Sequence, residues 1–169
     1  MIFRRKERSE GTGQPQGQPA PAADPRAVLR DEIGLYQLWF LEFRLQEEVA
    51  RAARSGNPFC LAMWQLRLLP GEVPSPELLR QAAELINSSL RTYDVLARID
   101  AQRFVAILID APYESAATVA FRIKGELQLR VQSAGRWQAG VGAFPNDGVD
   151  GNALISTAMR RLDTDARAA

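Results

Sequence analysis

The chain is 169 residues long, 46% hydrophobic and 24% charged, with 21 basic against 20 acidic side chains and a formal net charge of +1. That suffices for one domain with a sizeable core and falls short of two ordinary ones, and it carries no overall field to draw nucleic acid or an anionic membrane. The lack of any histidine excludes a His-based triad or His metal site, the lone Cys60 excludes an intramolecular disulfide and fits a reducing cytoplasm, and no apolar run approaches the ~20 residues of a membrane span.

Residues 1–25 read as a flexible tail. Its basic start, MIFRRKERSE, has no apolar core of the signal-peptide kind. The GTGQPQGQPAPAADP that follows is too poor in large apolar groups to offset its ordering entropy. Arg4, Arg5, Lys6 and Arg8 offer the one place for membrane contact, and a solvated charged end is the simpler reading. The folded domain spans 26–165. From about Arg26 to Arg54 apolar residues recur at helical spacing (Leu38, Leu41, Leu45, Val49, Ala52), and Ser55-Gly56-Asn57-Pro58 ends the helix. Phe59 to Leu69 has the length and character of a buried strand. After the loop PGEVPSP, Ser75 as N-cap and Pro76 at the first helical position open a second helix through Leu79, Ala82, Ala83 and Ile86. Val95–Arg98 and Phe104–Ile109 form a hairpin. A third helix runs from Tyr113 to about Leu129, with Ala117, Val119, Ala120, Ile123 and Leu127 inward. Trp137 to Phe144 is a strand, and Asp150 caps a last helix through Leu154, Ala158 and Leu162. The order predicts an α/β sandwich with a central mixed, mainly antiparallel sheet flanked by helices.

Several stretches stand in a distinctive order: Gly34-Leu35-Tyr36 at the first long helix, Arg51 to Pro58 at its end, Asp94-Val95-Leu96-Ala97-Arg98 entering the hairpin, and Gly140-Val141 with Phe144-Pro145-Asn146-Asp147-Gly148 near the end. Together they resemble the GGDEF domain of diguanylate cyclases, over about Asp31 to Leu162. The resemblance implies that family's palm-like fold. Its enzymes join two GTP molecules into cyclic di-GMP, with acids that hold Mg²⁺ and glycines that admit the phosphates. Here the signature is matched by Asp100-Ala101-Gln102-Arg103-Phe104, which sets an amide and a cation where two acids belong. The metal-binding aspartate of the first strand aligns with Gln65, and its neighbour two residues on with Arg67. The loop after that strand is shorter than theirs and lacks its guanine-gripping residues. The resemblance therefore implies a domain without catalysis, metal or cofactor.

What matches instead is the family's product-binding motif, Arg-x-x-Asp five residues before the signature, present as Arg91-Thr92-Tyr93-Asp94. Its additional arginine aligns with Arg122, in Ala120-Phe121-Arg122-Ile123. The chemistry suits cyclic di-GMP. A guanidinium fork meets guanine O6 and N7, a carboxylate accepts from N1–H and N2–H, and arginine also stacks on a base or meets phosphate. Arg91, Asp94 and Arg122 are thus the expected ligand residues of a cyclic di-GMP receptor that signals through a protein partner or a homodimer. A plain surface ion pair between Arg91 and Asp94 is the alternative, which would leave an interaction or assembly domain without nucleotide binding. Trp39, Trp64, Tyr36 and Phe40 could line a nucleotide pocket, but at helix and strand spacing they read as core or interface, and Cys60 as a small core residue.

Overall fold

The computed structural model describes residues 29–131 and 135–167. Four helices, α1 (Leu38–Ser55), α2 (Pro76–Ser89), α3 (Tyr113–Arg130) and α4 (Gly151–Arg167), alternate with strands β1 (Phe59–Arg67), β2 (Val95–Arg98), β3 (Arg103–Leu108) and β4 (Arg136–Phe144). The strands form one sheet in the order β2-β3-β1-β4, and every neighbouring pair is antiparallel. A single parallel bridge, Tyr36 to Ala97, adds to the β2 edge and makes the sheet mixed, as the sequence predicted. The tail expected over residues 1–25 lies outside the described residues.

Alternation along β1 explains the two layers. Phe59, Leu61 and Met63 point to one face and pack with Leu41, Leu45 and Ala52 of α1 and Leu154, Ala158 and Leu162 of α4. Cys60, Ala62, Trp64 and Leu66 point to the other, against Leu79, Ala82 and Ile86 of α2 and Ala120, Ile123 and Leu127 of α3. The Trp64 indole N–H donates to the Ala120 carbonyl at 2.9 Å, so even this buried tryptophan has its polar atom satisfied. Burial pushes the Cys60 thiol up to about 12, which fits a core residue rather than a reactive one. β4 lies close under α4 because it has glycines there: a Cβ on Gly140 would stand 2.2 Å from the Ala158 carbonyl oxygen.

The expected caps are present. Ser75 Oγ accepts from the Leu78 N–H at 3.2 Å, and Asp150 Oδ1 accepts from the Ala153 N–H at 2.9 Å. Gly56 takes the left-handed conformation (φ 75°) that closes α1. The start of α1 differs from expectation: the stretch is not one continuous helix, since Leu29 is helical, residues 30–37 form a turn with isolated bridges at Arg30 and Tyr36, and α1 begins at Leu38. The reason is local. Asp31 Oδ1 accepts from the N–H groups of Ile33 and Leu35 at 3.1 and 2.9 Å, and Gly34 sits at φ 83°, so the chain turns instead of winding. Tyr36 N–H then donates to Leu96 O at 3.2 Å, pinning this loop to β2. β1 likewise ends at Arg67, short of the expected Leu69, and on α3 it is Ala116 that is fully buried while Ala117 and Val119 are half-buried.

Candidate functional site

Arg91 and Asp94 meet where α2 gives way to β2. The turn closes through Asp94 N–H donating to Arg91 O at 3.0 Å. The Asp94 carboxylate then serves the backbone: Oδ2 accepts from the Arg91 N–H at 2.9 Å and Oδ1 from the Ile109 N–H at 3.2 Å. It so ties the entry of the hairpin to its exit. The Arg91 guanidinium is not its partner. Nη1 donates to the Tyr93 hydroxyl at 3.0 Å, and the guanidinium lies 5.9 Å from that ring's centroid. Among the described residues it pairs with no carboxylate, and both Arg91 and Tyr93 are exposed.

Arg91, Asp94 and Leu90 form a ridge between two concavities. One, of about 70 Å³, is bounded by Leu108, Ile109, Ser115 and Val119. The other, of about 430 Å³, is bounded by Arg30, Tyr36, Asn87, Ser88 and Thr92. Its far wall is preset. The Arg30 guanidinium lies 4.2 Å over the Tyr36 ring and donates to Gly34 O at 2.5 Å, while Tyr36 stacks on Phe40 at 4.5 Å. Two cations thus face one carboxylate across this opening. From sequence Arg30 was missed and Tyr36 was set aside as core or interface, because both fall inside an expected helix. The usable signal was Asp31 three residues before Gly34, a turn pattern.

The structure does not bring Arg122 to this corner. It lies on α3 toward the same side as Ser115 and Val119, borders neither concavity, and donates to Glu126 at 2.9 Å. Glu126 also stands 3.7 Å from Arg130.

At the other end of the hairpin, Asp100 organises the turn into β3. Its Oδ1 accepts from the N–H groups of Gln102 and Arg103 at 2.9 and 3.0 Å, and its Oδ2 from Arg103 Nε at 2.7 Å. Desolvation alone would raise the Asp100 carboxyl. The Arg103 guanidinium and the two N–H groups outweigh it and hold the group below its ordinary value. Gln102 O accepts from Leu66 N–H at 2.9 Å, Ala101 is the exposed tip, and Phe104 is buried beside Trp137 with ring centroids 6.1 Å apart. Gln65 stands in register between Arg103 and Gln138, and Arg67 opposite Arg136 at the strand end. The Gln138 side chain is buried with neither amide atom hydrogen-bonded. Among the described residues no three acidic, Cys or His side chains converge as a metal site would need.

A four-stranded antiparallel sheet between two helical layers, with a hairpin whose turn joins an edge strand to a central one, defines a cyclase palm-like domain. The chain belongs to the GGDEF family: the family model for "Diguanylate cyclase, GGDEF domain" matches residues 34–168. Among solved structures it is similar to the FimX GGDEF domain of Pseudomonas aeruginosa (TM-score 0.73, 22% identity, 83% of this chain and 95% of that one). It is also similar to the GGDEF domain of DgcB from Caulobacter crescentus in complex with c-di-GMP (TM-score 0.72, 17% identity, 83% and 91%). A third is the diguanylate cyclase SiaD of Pseudomonas aeruginosa in complex with its activator SiaC (TM-score 0.70, 24% identity), of which this chain covers 60% with 85% of its own length. At these identities the likeness is one of fold. No match was found among curated proteins. No helix among the described residues is long and apolar enough to cross a membrane.

Proposed function

We propose that this chain is a non-catalytic GGDEF domain that binds cyclic di-GMP at the Arg91–Asp94 corner and passes the signal on through protein contacts. The observation that carries this reading is the exposed Arg91 guanidinium, held by Tyr93 rather than by a carboxylate, on the rim of a 430 Å³ concavity shared with Arg30 and Asp94. A charged group with no carboxylate partner among the described residues, beside an aromatic wall, suits an anionic, planar ligand. Arg91 offers a fork to guanine O6 and N7. Asp94, with one backbone hydrogen bond on each oxygen, keeps lone pairs for guanine N1–H and N2–H. Arg30, 4.2 Å over the Tyr36 ring, can meet a base by stacking or a phosphate through its N–H groups. Arg122 would join only by leaving Glu126.

The absence of catalysis is supported by the residues at the family's metal positions. Mg²⁺ takes hard oxygen ligands, commonly carboxylates together with substrate phosphates. Gln65 and Gln102 are amides, Arg67 and Arg103 are cations, and the neighbouring Asp100 is engaged by Arg103, so this set does not fit a divalent cation. That DgcB was solved with c-di-GMP and SiaD with an activator protein gives precedent within the fold for both a dinucleotide and a protein partner.

Calorimetric titration with cyclic di-GMP, with GTP as control, tests the reading. Saturable binding of cyclic di-GMP that Arg91→Ala abolishes is expected, together with no product from GTP and Mg²⁺. No binding by folded protein would leave the assembly-domain reading, which the exposure of Trp39 favours.

A further inference from the structure

α1 carries two faces. Leu41, Leu45, Glu48 and Ala52 are buried in the domain. On the opposite side Trp39, Phe43, Gln46, Ala50 and Ala53 are all exposed, Trp39 at 49% and Phe43 at 53%. Their spacing alternates four and three residues, the repeat of a helix that packs along another helix, and no described residue covers it. The seam is graded, with two large aromatics at its first end, an amide at its centre and two alanines at its last.

We propose that this seam is a homodimer interface in which α1 packs antiparallel against α1 of a second copy, about a two-fold axis through Gln46. Only that direction matches large to small: Trp39 lies over the partner's Ala53 and Phe43 over the partner's Ala50. The Gln46 amides meet at the axis, each able to donate to and accept from the other. Parallel pairing would set tryptophan against tryptophan and leave the alanine ends apart, with the unfilled space that close packing penalises. The flanks agree. Phe40, T-shaped to Trp39 at 5.9 Å, comes beside the partner's Arg54, a cation over a ring. Glu47 comes near the partner's Glu47, and each is offset by its own Arg44 at 2.7 Å.

An 18-residue helix is about 27 Å long at 1.5 Å per residue. With its flanks the seam would bury roughly 1,000 Å² in total, at the lower edge of specific interfaces, so the dimer is a reversible one. It does not depend on nucleotide binding.

Sedimentation equilibrium of the full chain across the micromolar range is expected to show monomer and dimer in exchange. Trp39→Ala at the large end and Ala53→Glu at the small end should each weaken the dimer ~tenfold or more, with unchanged circular dichroism. Direction is read by cross-linking. Trp39→Cys mixed with Ala53→Cys should give the mixed disulfide, and buried Cys60 does not compete. A monomer at all concentrations, which would leave the seam to another segment or protein, overturns the proposal. So does a dimer indifferent to both substitutions, or cross-linking only between like residues.

Discussion

The two ends of the β2–β3 hairpin each carry an arginine and an aspartate three residues apart, and they use them in opposite ways. At the signature end the acid comes first. Asp100 takes two backbone N–H groups and also its own arginine, so Arg103 is spent within the turn. At the other end the arginine comes first. Asp94 takes the N–H groups of Arg91 and of Ile109 across the hairpin, and the Arg91 guanidinium stays outside. Spacing alone does not make an ion pair. What decides is which backbone donors the fold brings to the carboxylate, and one of the two at Asp94 comes from Ile109, just past the end of β3.

The contrast is broken most severely at the open end. Arg91→Ala should cost cyclic di-GMP binding ~100-fold or more, as loss of a bidentate charged contact does, while leaving thermal stability within ~0.5 kcal/mol because, among the described residues, the guanidinium's hydrogen-bond partner is the exposed Tyr93. Asp94→Ala should do the reverse as well as weaken the ligand. It strands two N–H donors, one of them part-buried, at about 2–3 kcal/mol of stability, visible in chemical denaturation. If Arg91→Ala proved as destabilising as Asp94→Ala, the two ends of the hairpin would not differ as described.

Most of the fold was legible because its signals are local. Ser75-Pro76 starts a helix by its own chemistry, Gly56 stops one, and the apolar run of β1 has no other use than a buried strand. The exception, the start of α1, was also local but ambiguous: helical spacing argued for a helix from Arg26, and the turn made by Asp31 and Gly34 prevailed over it in the described part of that stretch. In the candidate site, Arg91 and Asp94 were legible through their fixed distance from the signature. Arg30 and Tyr36 were not, since Tyr36 reaches the corner through a bond to Leu96, far along the chain. A contact of that kind leaves no mark on neighbouring residues.

Arg30 against Arg122 sharpens the open end. Arg30→Gln should weaken cyclic di-GMP binding ~tenfold, the worth of one charged hydrogen bond, and Arg122→Ala less than ~threefold, since its guanidinium is committed to Glu126. Titration of the two variants beside wild type reads the order directly. A reversed order would place the ligand over α3, in the smaller concavity.

The smallest effect belongs to the closed end and depends on pH. Asp100 has a folded-state pKa below its ordinary value, so folding favours its ionised form. Its contribution is complete above the ordinary carboxylate range and is lost as pH falls through the lower folded value. Asp100→Asn keeps the oxygen that accepts both N–H groups and removes the charge that holds Arg103, so it should cost about 0.5–1 kcal/mol near neutrality, the range of a solvent-screened pair, and nothing in strong acid. Asp147 titrates in the same direction, because the Arg161 guanidinium and the Ala143 N–H outweigh a desolvation that would raise it. Only the difference between wild type and variant therefore isolates Asp100. Were that difference flat from neutral to acid pH, the Asp100–Arg103 bond would hold the turn by its geometry rather than by its charge.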